Sequence, residues 1–304
     1  MRKISGRAIP PATLPAIAAM IAVTLTASCG ARHDPAAAGD PPPAPHAIIS
    51  LSATGTEMLY AIGAGRQVRA VDKYSDYPPG APRTSMSELT ANVEAIAARR
   101  PDLVVIDSEA APSLAKQLAG LRIPVLVLPA AANLADVYAQ LAELGRATGH
   151  LEQARAEERV IRTQIAAIVA SLPHRSKPLT YYYELTTNFY SVTSGTFVGR
   201  LLGLLGLESI AGQASGAGVA GGYPQLSAET ILKADPDYIF LADTICCRQN
   251  AGTVAARPGW RLLKAVRQDH VVRLNDDIAS RWGPRIVDLL RTVAAALRHG
   301  RGRP

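Results

Sequence analysis

The chain has 304 residues, 48% of them hydrophobic and 19% charged, with three cysteines and a formal charge of +7. That length can bury a sizeable core, and three cysteines are too few for a disulfide scaffold. Removing Arg2, Lys3 and Arg7 leaves +4, and removing Arg298, Arg301 and Arg303 of the C-terminal tail leaves +1, so the body is near neutral and nucleic-acid binding is excluded.

Residues 1–28 read as a signal segment: a basic start, an apolar stretch from about Leu14 to Ala27, then small residues. The stretch is too short for a stop-transfer span. Leu25-Thr26-Ala27-Ser28-Cys29 resembles a bacterial lipobox, with Thr26 where Leu is usual. It marks Cys29 as the lipidated first residue of the mature chain, on the outer face of the cytoplasmic membrane. Residues 29–46, rich in Ala and Pro, read as an extended tether.

From residue 47 strand and helix patterns alternate. Ala47–Leu51 reads as a strand, Thr54–Ala61 as a helix stopped by Gly63 and Gly65, and Val68–Val71 and Leu103–Ile106 as strands. A helix over Leu114–Leu121, a strand over Pro124–Leu128 and a helix over Leu134–Gly145 complete an N-terminal lobe, 47–150. In Leu151–Leu172 one stripe is apolar (Leu151, Ala154, Ile161, Ile165, Ile168, Leu172) and the other face is charged. With no Gly or Pro inside, it reads as a rigid connecting helix of about 33 Å. The C-terminal lobe, 173–297, repeats the rhythm: strands at Leu179–Leu185, Tyr238–Leu241 and Val271–Leu274, helices at Phe197–Leu205, Ala228–Lys233 and Pro284–Leu297, then a basic tail, 298–304. The fold class is α/β: two lobes, each a mainly parallel sheet flanked by helices, joined by one long helix.

One segment occurs twice. Asn92-Val93-Glu94 leads to Pro101-Asp102 and a strand, and Ser227-Ala228-Glu229 leads to Pro236-Asp237 and a strand, each Glu seven positions before its Pro. Either acid alone suits a helix N-terminus. The matched spacing points to two lobes that each present one carboxylate at the same place.

Several segments in order resemble the substrate-binding proteins of iron-siderophore and vitamin B12 ABC importers. Ile49-Ser50-Leu51 with Ala53–Leu59 is similar to the family's opening strand and helix. Tyr74-Ser75-Asp76-Tyr77-Pro78-Pro79 looks like the loop that places an aromatic ring in the cleft of cobalamin-binding members. Tyr223–Glu229 resembles the matching loop of the second lobe, and Asp277, Arg281 and Gly283-Pro284-Arg285 resemble the closing segment. The resemblance covers about residues 47–297. It implies a monomeric, lipid-anchored receptor without enzymatic activity or cofactor. Its partners would be an ABC permease dimer with its ATPase subunits, and its ligand a cobalt or iron chelate. It implies Glu94 and Glu229 as docking acids and Tyr74, Tyr190, Tyr223, Asp277 and Arg281 as ligand-binding residues. The Tyr74 and Tyr223 loops favour a corrinoid; a ferric siderophore or haem remains open, because Glu88 and Asp107 align where cobalamin-binding relatives carry tryptophans. An anionic ferric chelate would need arginines, for which Arg83, Arg200, Arg248 and Arg281 are candidates. Trp282 reads as a core anchor or a cleft wall.

Cys246 and Cys247 allow either two thiols or a strained vicinal disulfide, since adjacent Cα atoms lie about 3.8 Å apart, below the usual disulfide range of about 4.4–6.8 Å. Ser113-Leu114-Ala115-Lys116 matches a bare S-x-x-K motif, but the companion elements of a serine acyl-enzyme are missing. A zinc or manganese site would need His150, His174 and His270 together. A lipid-anchored sensor would share the fold and lack the docking pair.

Overall fold

The computed structural model describes residues 43–107, 111–213 and 221–299. The signal segment, Cys29 and most of the tether lie outside these residues, as do Arg301, Arg303 and the centre of the glycine-rich run before Tyr223.

The N-terminal half contains β1 (Ile48–Ser50), α1 (Ala53–Ala61), β2 (Val68–Val71), α2 (Val93–Ala97), β3 (Leu103–Asp107), α3 (Ala111–Gly120), β4 (Val125–Leu128) and α4 (Leu134–Thr148). The long helix α5 (Leu151–Ala170) follows. The C-terminal half contains β5 (Leu179–Glu184), α6 (Phe197–Gly203), β6 (Leu207–Ser209), α7 (Ala228–Ala234), β7 (Tyr238–Leu241), α8 (Ala251–Ala255), α9 (Lys264–Arg267), β8 (Val271–Arg273), α10 (Asp276–Ala279) and α11 (Ile286–His299).

Both sheets are parallel throughout, and their orders match: β2-β1-β3-β4 and β6-β5-β7-β8. The repeat seen in the sequence is thus a repeat of topology. Strand β6, missed as a strand because three residues carry too little periodicity, completes the second sheet.

Alternate residues of each strand enter different cores. Ile48 and Val105 join an apolar cluster that continues through Tyr181, Tyr183, Phe240 and Leu290, whereas Ile49, Val104 and Ile106 pack under α3 and Tyr182 packs with Trp260. The run Tyr181-Tyr182-Tyr183 is therefore wholly buried, serving both faces of one sheet.

The shared cluster is organised by α5. Gly145 of α4 lies so close to it that an added Cβ would stand 2.7 Å from the Ala154 Cβ. Ala154, Ile161 and Ile165 are buried as the stripe predicts, and Arg162 stacks over the Tyr138 ring at 3.9 Å. On the other side α11 reaches α5, with Arg291 donating to Gln164 (2.9 Å) and Arg298 to Ser171 (3.0 Å).

The repeated Pro-Asp corner has a structural purpose. The Asp102 carboxylate accepts from the backbone N–H of His46 (2.7 Å) and Ala47 (2.9 Å), where the chain enters β1. The Asp237 carboxylate accepts from the Thr180 N–H (2.9 Å) at the start of β5 and from Lys264 (2.8 Å). In each half the corner thus clips the third strand to the start of the first.

Candidate functional site

The carboxyl ends of the four N-terminal strands converge on a pocket of about 300 Å³, the usual location of ligands in open parallel sheets. Leu51 follows β1, Asp72 follows β2, Asp107 ends β3 and Ala130 follows β4, and all four line it. The Ser87-Glu88-Leu89 loop forms one side, and the rings of Tyr74 and Trp282 form others.

Trp282 comes from the C-terminal half, so the pocket has walls from both halves of the chain. Its indole N–H donates to Gln140 Oε1 (2.8 Å), and Gln140 in turn donates to the Pro129 carbonyl (2.6 Å). The ring also packs against the shared core, so its two sequence readings, cleft wall and core anchor, both apply.

Beside this pocket lies a dense ion network between the halves. Arg281 donates to Glu57 Oε1 (3.0 Å), Asp76 (2.8 Å), Asp277 (3.0 Å) and the Tyr74 carbonyl (2.8 Å). Arg285 also bonds Glu57 and lies over the Tyr77 ring at 4.2 Å. Burial would lower the pKa of Arg281, but its bonds to Asp76 and Glu57 raise it overall. Burial pushes the Asp76 carboxyl up, and the adjacent guanidinium more than reverses this. Asp277, partly buried and crowded by Asp76, is pushed up despite Arg281. Expected as ligand-binding residues, Arg281 and Asp277 are thus placed in an inter-lobe clasp. Arg281 is only 10% exposed, and its donors meet protein acceptors.

Tyr74 is about half exposed at the pocket, with the Lys73 ammonium 4.8 Å from its ring. Tyr190 and Tyr223 are similarly exposed but do not line it. They lie on two C-terminal loops joined by a bridge between Tyr190 and Gln225. Burial raises the Tyr223 hydroxyl pKa. The Asp72 carboxyl is raised by burial against the opposing hydrogen bonds from Ser75.

Glu94 and Glu229 are both exposed in the first turns of α2 and α7, each helix leading to the third strand of its sheet. The caps correspond: Asn92 Oδ1 accepts from the Ala95 N–H (2.8 Å) and Ser227 Oγ from the Thr230 N–H (3.0 Å).

Cys246 and Cys247 are exposed free thiols with no bond between them. Of the two readings that the sequence allowed, the structure has the pair of thiols. Their loop wraps the Asp276 carboxylate, which accepts from the N–H groups of Ile245 and Cys246 (2.9 Å each). Burial and contacts with Cys247 and Asp276 push the Cys246 thiol up to about 12, making it a poor nucleophile. Ser113 and Lys116 sit within α3, where Ser113 offers its carbonyl to Gln117 (3.2 Å). His150 and His270 bond separate backbone carbonyls, at Thr148 (2.9 Å) and Asp237 (3.0 Å).

Sequence reasoning missed the partners of Arg281 and Arg285, because nothing in Glu57 or its neighbours distinguishes it from an ordinary helical glutamate. It also missed a second buried cluster. Arg257 grips Glu184 through two bonds of 2.6 Å, Asp243 lies beside them fully buried, and the rings of Phe189 and Trp260 cover the guanidinium.

Comparison with known proteins places this geometry in a family. The model of the periplasmic binding protein family matches residues 48–278. A vitamin B12-binding protein of Pectobacterium atrosepticum is 30% identical over 261 residues, covering 83% of this chain and 88% of the relative. A periplasmic vitamin B12-binding protein of Vibrio cholerae is similar in structure, with a TM-score of 0.66 at 25% identity over 85% of this chain and 99% of the other. A periplasmic haem-binding protein of Roseiflexus shares the fold, with a TM-score of 0.72 at 22% identity over 84% of this chain and 98% of the other. With matching parallel sheets, a pocket walled from both halves and a family match across both, the chain belongs to the periplasmic binding protein family, as its sequence motifs suggest.

Proposed function

We propose that this chain is a lipid-anchored receptor that holds a corrinoid between its lobes and delivers it to the permease of an ABC importer without altering it. The observation that carries this reading is the pocket at the N-terminal strand ends, which is closed by Trp282 from the other half. A ligand seated there touches both halves and reports its presence to both. The Tyr74 and Trp282 rings offer flat apolar surface to a macrocycle. Relatives named as vitamin B12-binding, one 30% identical, favour the corrinoid over other chelates. Tyr190 and Tyr223, half exposed on the two bridged C-terminal loops, are proposed to contact the remainder of the ligand.

Titrating the purified protein with cyanocobalamin and following tryptophan fluorescence tests the ligand. Saturable binding is expected. Tyr74→Ala and Tyr223→Ala should each weaken it about 2- to 10-fold through lost stacking, with little loss of stability because both rings are already half exposed. Unchanged affinity in both variants would remove these rings from the site.

Glu94 and Glu229 are proposed to dock the two lobes onto the permease dimer, one acid for each half of a twofold partner. Replacing both with Arg should leave ligand affinity intact and abolish uptake in cells, since like charges would then meet. Normal uptake by that variant would rule out docking through these acids.

A further inference from the structure

We propose that Gln140 is a positioning residue for the pocket: by bonding the Trp282 indole to the end of β4, it holds that ring as a preset wall between the two halves of the chain. The inference rests on the reading of this pocket as the ligand site and goes further by naming what fixes its inter-lobe wall.

Gln140 lies on α4 and is not itself among the lining residues. It is only 5% exposed, and its neighbours Val137 and Leu141 are fully buried. The helix that carries it is anchored at its start, because Asn133 and Asp136 cap the first turn reciprocally. A buried amide is costly without partners, and this one has two. Its Oε1 accepts from the Trp282 indole N–H (2.8 Å), and its Nε2 donates to the Pro129 carbonyl (2.6 Å). An indole nitrogen only donates and a carbonyl only accepts, so the bridge needs a group that does both. An aliphatic chain does neither, and an ionised carboxylate would set an oxygen against the Pro129 carbonyl. Pro129 precedes Ala130 of the lining, and Trp282 follows Arg281 of the clasp. The bridge thus ties the pocket wall at the end of β4 to the ring from the other half.

Stacking on a flat ligand requires a ring at a defined angle and depth. Trp282 is partly exposed, so core packing alone leaves it room to tilt. The bond at its nitrogen restrains that tilt. A ring already held at the binding angle loses less freedom when a ligand arrives, and the difference appears as affinity.

The test removes the bridge with Gln140→Met, which keeps the chain length, and with Gln140→Leu as a second apolar replacement. Circular-dichroism melting checks that each variant folds. Heteronuclear NMR follows the indole N–H groups of Trp260 and Trp282, the two tryptophans of the chain. The Trp282 signal is assigned by its absence in Trp282→Phe. In the wild type it is expected to exchange slowly with deuterium. In both Gln140 variants it should exchange at least about tenfold faster, with the Trp260 signal unchanged. Affinities for cyanocobalamin and, separately, haemin are measured by titration calorimetry. For each probe that the wild type binds, Gln140→Met should weaken binding about 3- to 10-fold, the equivalent of one buried hydrogen bond. Trp282→Phe keeps an aromatic wall without an N–H. Adding Gln140→Met to it should change affinity by less than about twofold, because Gln140 acts through the indole.

Four results would overturn the positioning role. One is a wild-type Trp282 N–H that exchanges as fast as free indole. Another is exchange that stays slow in the folded Gln140 variants. The third is affinity that is unchanged although exchange accelerates. The last is a pair of losses that multiply in the double variant, which would mark a general structural role. Cyanocobalamin answers the separate question of the native ligand. If only haemin binds and the cycle holds, the corrinoid reading falls and the positioning role stands; a wild type that binds neither probe overturns both.

Discussion

Glu57→Ala is expected to lower the free energy of unfolding by about 3–5 kcal/mol, the cost of removing one partner from a buried ion pair. Glu57 is 3% exposed and accepts from both Arg281 and Arg285, whose side chains are 10% and 16% exposed. Without it, Arg285 loses its carboxylate partner, and Arg281 keeps Asp76, Asp277 and the Tyr74 carbonyl. Surface pairs of the same type contribute about 0–1 kcal/mol, so burial decides the size of the effect.

The site is shaped around this carboxylate. A Cβ at Gly283 would stand 2.8 Å from Glu57 Oε2, which explains why glycine occupies that position. Urea unfolding followed by circular dichroism measures the loss. Glu57→Gln, which keeps the volume and one acceptor, should fall between wild type and Ala. A loss below about 1 kcal/mol for Glu57→Ala would place this network with surface pairs and end its role in joining the lobes.

A comparably large effect belongs to the C-terminal half and depends on pH. Glu184 and Asp243 are both fully buried and share one guanidinium, and Arg257 gives its paired bonds to Glu184 alone. The Asp243 carboxyl faces that of Glu184, and a hydrogen bond between the two favours the protonated acid. Burial first, and then the Glu184 charge, push the Asp243 carboxyl up to about 7.

An acid whose folded pKa is raised favours the folded state where it is protonated. Its contribution is fully present below the unfolded value of 3.8 and is lost as pH rises through about 7. Melting temperature should therefore decline between about pH 4 and pH 7. In Asp243→Asn, whose amide can donate to Glu184 at every pH, this decline should flatten. The variant should gain on the order of 2–3 kcal/mol at pH 8. An unchanged slope in Asp243→Asn would show that another group titrates there. Glu184→Ala should instead cost about 3–5 kcal/mol at neutral pH, because it strands a largely buried guanidinium.

Much of the fold was legible because its signals are local. The strands at Val68–Val71 and Tyr238–Leu241 have the bounds that their apolar runs suggest, and the α5 stripe buries the residues that its period selects. The matched glutamates were visible as a spacing, and both are exposed in the first turns of helices that lead to the third strands of equivalent sheets. Short elements escaped: β6 and α8–α10 have three to five residues each, less than the window in which periodicity can be read.

By itself the sequence determined the alternating α/β order, the rigid helical join and the duplicated acids, since each depends on residues within a turn or a strand of one another. Only the tertiary structure decided that Arg281 clasps the lobes, that Trp282 walls the N-terminal pocket and that Asp243 shares its burial with Glu184. Arg281 and Glu57 are 224 positions apart, and Trp282 and Gln140 are 142 apart. At such separations a side chain's partner is set by how whole layers pack, and its charge or ring alone carries no trace of which partner that will be.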